Sequence, residues 1–155
     1  MLAILAAIAA WPALAQEPVG CDKFKWPLDK ERGMLAAAKP ATPAAAPLAD
    51  AYTLALSRDT KLPMAPSRAP KPATNAGFVE LAALPKAGTY RFTLSDDGWV
   101  DVFQGGMAAK STAFSGATGC AGLRKSVKFD LSAKPLTVEV SGATAPSISF
   151  AITPD

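Results

Sequence analysis

Three aspartates near one tryptophan form the densest group of side chains in this sequence that could do chemistry. Asp96, Asp97 and Asp101 lie on both sides of Trp99. Paired carboxylates can act as general acid and base on a glycosidic bond or bind calcium, and an adjacent aromatic suits a sugar ring. A small carboxylate-dependent hydrolase or lyase is therefore one hypothesis. Asp-Asp-Gly is also ordinary turn chemistry, and we favour that interpretation, with Asp101 in a strand and its carboxylate facing water.

Two aromatic residues on the same predicted strand offer a binding surface. Trp99 and Phe103 alternate with two valines and share a strand face with Asp101. If the valines face the interior, the aromatics are partly exposed and can stack on a sugar or contact a partner protein. The alternative, which we favour, is that the N-terminal segment covers this face with Phe24, Trp26 and a Pro-rich arm.

A glycine-rich loop supplies the remaining candidate binding residues. Residues 115–126 (SGATGCAGLRKS) place Arg124 and Lys125 together, and backbone amides beside two cations can hold an anion. The loop lacks the Walker spacing of a phosphate-binding motif. A loop shaped around a disulfide explains the same glycines and is the favoured interpretation. The candidate binding residues are Trp99, Asp101, Phe103, Arg124 and Lys125.

The sequence contains no histidine. Ser-His-Asp hydrolysis, Cys-His catalysis, ordinary catalytic zinc and the two-His-one-carboxylate iron site all need an imidazole. We therefore predict no catalytic residue of these classes, no metal site and no cofactor, and expect a protein that is not an enzyme.

Cys21 and Cys120 are the only cysteines. In an oxidising compartment a lone pair of thiols is expected to form a disulfide, which here would attach the N-terminal segment to the C-terminal part of the chain. Redox-active pairs usually show C-x-x-C spacing, so we expect a structural role.

Residues 1–15 (MLAILAAIAAWPALA) predict where the protein is located. A short apolar run, a Trp-Pro break and Ala-Leu-Ala are typical of a signal peptide, with cleavage before Gln16. The apolar run is shorter than the roughly 20 residues that span a bilayer. We expect a periplasmic or secreted protein whose mature chain has no transmembrane segment.

The net charge of +3 is scattered along the chain. No dense block of Lys and Arg with aromatic partners occurs, so nucleic-acid binding is not predicted. The partners compatible with this composition are a polysaccharide or an envelope protein.

The elements that must position these residues are mostly strands. From Gly77 onward apolar and polar residues alternate in short runs separated by turn residues. This pattern predicts an all-β fold, specifically an antiparallel β-sandwich of jelly-roll or immunoglobulin-like type. A small barrel is the alternative. We assign residues 77–155 to the sandwich. Residues 16–76 form an N-terminal arm with a short helix in 28–38, Pro-rich connectors at 39–47 and 63–72, and one short strand between them.

Residues 77–152 carry a resemblance to a known module. The segments G-T-Y-R-F-T-L-S, D-G-W-V-D-V and R-K-S-V-K-F-D-L resemble the β-sandwich modules called pre-peptidase C-terminal domains, found beside secreted bacterial peptidases. The resemblance implies an accessory role in folding or in binding polymers or cell surfaces.

A second resemblance spans nearly the whole mature chain. E-P-V-G-C-D-K-F-K-W-P and F-S-G-A-T-G-C are similar to segments of a group of small exported bacterial proteins, some of which carry the label homogentisate dioxygenase. That enzyme is far longer and binds iron through histidines, which this sequence lacks, so the label does not describe its chemistry.

These observations favour a non-enzymatic exported module with a binding or envelope-accessory role. The alternative is the hydrolase or lyase that uses the three aspartates. A protease inhibitor that presents residues 63–72 is less favoured.

Overall fold

The structure, a computed structural model, describes residues 16–155. The predicted signal peptide, residues 1–15, lies outside this part of the chain. The prediction of an all-β sandwich is confirmed, because the strands form two sheets that pack face to face around one apolar core.

The N-terminal part begins with one turn of 3-10 helix at Cys21–Lys23, followed by helix α1 at Asp29–Ala36. The strands are β1 (Lys39–Pro40), β2 (Ala51–Ala55), β3 (Asn75–Leu81), β4 (Gly88–Leu94), β5 (Trp99–Gln104), β6 (Met107–Ala108), β7 (Ser111–Gly116), β8 (Lys125–Leu131), β9 (Leu136–Ala143) and β10 (Ser147–Pro154).

The two sheets differ in width. The larger has six strands in the order β1-β2-β10-β4-β8-β7, and the smaller has four in the order β3-β9-β5-β6. Neighbouring strands are antiparallel except β1 and β2, which pair in parallel. The extra width leaves part of the larger sheet without a facing strand.

The core lies between the sheets and follows from the alternation in the sequence. Phe92 of β4 and Phe129 of β8 meet edge to face, with ring centroids 5.3 Å apart. On the inner face of the smaller sheet, Val102 and Val138 are register partners on β5 and β9 and are fully buried. Such a two-layer apolar interior is the main source of stability for a domain of this size.

Helix α1 packs on the outer face of the larger sheet. Ala51 of β2 and Ala151 of β10 are buried there, and their small side chains let the helix approach closely. Leu28 and Leu35 fill this second cluster together with Cys120, whose disulfide to Cys21 is formed as predicted.

A Pro-rich segment, residues 63–72, lies along the outer face of the smaller sheet, and we call it the strap. Its Met64 N–H donates to Glu139 of β9, and its Ser67 N–H donates to Asp101 of β5. The strap therefore covers the face on which the sequence placed Trp99, Asp101 and Phe103.

The expected division between an arm (16–76) and a sandwich (77–155) differs from the structure. β2 is an interior strand of the larger sheet and β3 begins at Asn75, so part of the expected arm belongs to the sandwich. β7 was not expected as a strand. Within residues 16–155 no helix has the length and apolarity that crossing a bilayer requires.

Candidate functional site

A cleft opens where the larger sheet extends past the smaller one. β5 packs over β8, while β7 lies beyond it at the sheet margin. The space between β5 and β7 is about 540 Å³, and we call it the edge cleft. Its apolar lining consists of Val100, Ala109, Phe114, Val127 and Phe129. Its size and mainly apolar wall are those of a small-molecule site.

Phe114 shows why the cleft is open. It is the register partner of Val127, so its side chain is on the inner face of the larger sheet. An inward aromatic is normally covered by the facing sheet, yet Phe114 is 48% exposed. The smaller sheet ends at β5 and β6, whereas the larger sheet continues to β7.

Trp99 stands at the rim of the edge cleft and is 39% exposed. Its Nε1 donates to the Ser67 hydroxyl at 2.8 Å, and the Arg68 guanidinium lies 5.4 Å from its ring centroid. The strap thus holds the indole by its polar edge and leaves part of the ring accessible.

Asp101 does not face water, which corrects the expectation for its carboxylate. It is buried, and its two oxygens accept hydrogen bonds from the Ser67 N–H at 3.2 Å and the Ser67 hydroxyl at 2.5 Å. Although Asp101 lines the edge cleft, its carboxylate is occupied by the strap. Its direct role is to fasten the strap beside Trp99.

Asp101 has a second carboxylate beside it. Glu139 is its register partner on β9 and is also buried. Burial raises the pKa of Glu139 and the Asp101 charge raises it further, whereas the hydrogen bond from the Met64 N–H lowers it. The covered face therefore contains a carboxyl group that resists ionisation.

Phe103 is not an exposed binding residue. Only 4% of it is accessible, and it is absent from the lining of the edge cleft. Its burial corresponds to the favoured alternative, in which the aromatic face of this strand is covered, and not to the exposed binding surface.

The covering segment also differs from the expected one. Phe24 and Trp26 pack against the helix side of the larger sheet, where the Trp26 Nε1 donates to Ser126 at 3.2 Å and Lys128 lies over the ring. Only the second Pro-rich connector, the strap, lies across the predicted aromatic face.

Arg124 and Lys125 line the edge cleft but their charges are matched within the chain. Arg124 pairs with Glu17 at 2.7 Å, and Lys125 pairs with Asp97 at 3.3 Å and donates to the Gly98 carbonyl. The two cations thus fix the N-terminal segment and the turn before β5. They form part of the cleft wall rather than a free anion site.

Asp96 and Asp97 behave as turn residues. The Asp96 carboxylate accepts from the Asp97 N–H at 2.7 Å, and Asp97 is the ion-pair partner of Lys125. Within residues 16–155 no three acidic, cysteine or histidine side chains come together as a metal-ligand set. The hypothesis of a carboxylate-dependent hydrolase gains no support from this arrangement.

The residues of the site that were not identified from the sequence include Ser67, Arg68, Lys110 and Phe114. Arg68, in the strap, and Lys110, just before β7, both line the cleft and both are exposed. Neither forms an ion pair with any residue that the structure describes. A basic residue inside a Pro-rich segment was the only local signal for Arg68.

Comparisons with known proteins add no family to these observations. No protein-family model matches the chain, and neither the curated proteins nor the solved structures contain a significant match. Both resemblances noted from the sequence therefore stay predictions.

Proposed function

We propose that the protein is a non-enzymatic exported binding module, and that the edge cleft beside Trp99 is its ligand site. The observation that carries the proposal is the exposure of Phe114, an aromatic residue on the inner face of a sandwich. Because Phe114 is 48% exposed, about half of the ~1.5–3 kcal/mol that full burial of a phenylalanine provides is left for a ligand to recover.

The chemistry of the cleft supports binding rather than turnover. Its deeper wall is built from side chains without polar atoms, and Asp101 is hydrogen-bonded to the strap. A general acid or base must reach the reacting atom with a free oxygen or nitrogen. Asp97, the other aspartate at the cleft, is engaged with Lys125.

Export is supported by the disulfide between Cys21 and Cys120, because such bonds persist in oxidising compartments. Residues 1–15 have the composition of a signal peptide. Fractionation of expressing cells and N-terminal sequencing test this part: we expect mature protein that begins at Gln16 outside the cytoplasm. A full-length chain with free thiols in the cytoplasm contradicts it.

Titration with N-phenyl-1-naphthylamine, an uncharged fluorescent probe, tests the site. We expect saturable binding by one probe per chain. Phe114→Ala should weaken binding about tenfold, because one aromatic contact is worth about 1.5 kcal/mol. Phe78→Ala is the matched control, since Phe78 is 39% exposed on β3 and does not line the cleft. Absence of saturable binding, or equal loss in both variants, contradicts the proposal.

A further inference from the structure

We infer that the edge cleft takes an anionic amphiphile with a single apolar tail, such as a fatty acid. The tail lies between β5 and β7, and the anionic head lies between Arg68 and Lys110. This inference rests on the proposed function and adds the chemical class of the ligand.

The wall of the cleft selects for an apolar tail. Val100, Val127, Phe129 and Phe114 offer no side-chain hydrogen-bond donor or acceptor. A sugar buried against them would lose its hydrogen bonds to water without replacement, which is unfavourable. A hydrocarbon chain loses nothing there and removes apolar surface from water.

The charges at the rim select for an anionic head. Two of the four cations at the rim, Arg124 and Lys125, are paired with Glu17 and Asp97. Arg68 and Lys110 have no carboxylate partner among residues 16–155.

The positions of these two cations fit one head group. Arg68 is held beside the opening by its contact with the Trp99 ring. Lys110 lies between β6 and β7, is exposed and also lines the edge cleft. Because both cations line the cleft and are exposed, they attract an anionic head that stays partly hydrated, and they repel a cationic head.

The test compares three probes that have the same ten-carbon tail and differ in the head: decanoate, decanol and decylamine. Displacement of N-phenyl-1-naphthylamine from the complete exported protein is measured for each at low ionic strength. We expect decanoate to bind at least tenfold more tightly than decanol, and decylamine to bind most weakly. From octanoate to decanoate the affinity should rise about fourfold per methylene.

A double substitution tests the assignment of the head group. Arg68→Gln with Lys110→Gln should abolish the preference for decanoate over decanol. Lys86→Gln with Lys134→Gln removes the same charge from exposed positions outside the edge cleft and should preserve the preference. Thermal melting of both variants confirms that each is folded.

The outcomes separate this inference from the proposed function. If the uncharged probe binds at Phe114 but decanoate and decanol bind equally, the inference fails and the binding module stands. A decanoate preference that survives in the Arg68 and Lys110 double variant also overturns it. If the uncharged probe does not bind, the proposed function fails first.

Discussion

Asp101 and Glu139 lie opposite each other on β5 and β9, and the strap donates a hydrogen bond to each of them. The two carboxylates share a covered face of the smaller sheet, where like charges repel. One oxygen of Glu139, Oε2, is buried without a hydrogen-bond partner among the described residues. The strap thus donates hydrogen bonds to both carboxyl groups, and Glu139 has fewer hydrogen-bond partners than Asp101.

Glu139 should make stability fall as the pH rises. Its pKa is raised in the folded protein, so the native state binds the proton more tightly than the unfolded chain. The stability that protonation contributes is complete below the ordinary glutamate pKa of 4.5 and is lost as the pH rises through the raised value. Glu139→Gln should remove this dependence and stabilise the protein at pH 7 by on the order of 1 kcal/mol.

Urea unfolding from pH 4 to pH 8 measures the effect. Glu80→Gln, a neutralisation at an exposed position of β3, provides the control and should leave the pH profile unchanged. If the unfolding free energies of wild type and Glu139→Gln change in parallel between pH 4 and pH 8, Glu139 does not titrate in this range.

Ser67→Ala should loosen the strap. The hydroxyl both donates to Asp101 and accepts from the Trp99 Nε1, so its removal leaves two buried or half-buried groups with fewer partners. We expect a loss of about 1 kcal/mol and faster trypsin cleavage after Arg68. Thr144→Ala, at an exposed position outside the strap, should change neither quantity. Unchanged cleavage kinetics in Ser67→Ala would show that this serine does not hold the strap.

The contrast between β5 and β7 shows what the sequence can predict. Alternating residues between glycines at both ends predict the strand that carries Trp99, Asp101 and Phe103, and β5 is observed there, at Trp99–Gln104. β7, with the sequence STAFSG, consists mostly of small polar residues and resembles a loop. It becomes a strand because it pairs with β8, and that pairing is not a local property.

The candidate site could be predicted only in part, because some of its features depend on contacts between segments that are distant in sequence. Trp99, Asp101, Arg124 and Lys125, which the sequence analysis named as candidate binding residues, all line the edge cleft. The exposure of Phe114 depends on the unequal widths of two sheets, and the hydrogen bonds of Asp101 depend on a strap distant in sequence. Neither property can be inferred from spacing along one strand.

Glu31→Ala should detach helix α1. Glu31 is buried at the helix-sheet contact, accepts a hydrogen bond from Thr153 and pairs with Arg91 at 3.3 Å. Removing Glu31 deprives Thr153 and Arg91 of a buried acceptor, and because Arg91 keeps Asp155 as a second partner at 3.6 Å, the cost should be about 1–3 kcal/mol. Asp29→Ala removes an exposed carboxylate from the same helix and should cost far less. Equal unfolding free energies for the two variants in urea would contradict this role.

Reduction of the disulfide should destabilise the helix side of the larger sheet. The bond joins residues 99 positions apart, and closing a loop of this length is worth about 4–5 kcal/mol in the chain-entropy model. Cys21→Ser with Cys120→Ser should lower the melting temperature and increase amide exchange first in residues 20–36. The paired amides of β4 and β8 should stay protected, because the main core does not contain either cysteine. Equal loss of protection in both regions would show that the arm and the sandwich unfold as one unit.

Two glycines should respond in opposite directions to the same added methyl group. Gly33 lies inside helix α1, and a Cβ built there meets nothing within 4 Å. Gly33→Ala should therefore stabilise the protein by about 0.5–1 kcal/mol, because alanine loses less conformational freedom in a helix.

At Gly77 a Cβ would lie 2.5 Å from the Ala55 carbonyl oxygen and 2.7 Å from a methyl of Leu56. Since β2 and β3 approach most closely there, Gly77→Ala should cost about 2 kcal/mol. Thermal unfolding of the two variants measures both effects, and a stabilising Gly77→Ala would mean that the two sheets are not in contact at this point.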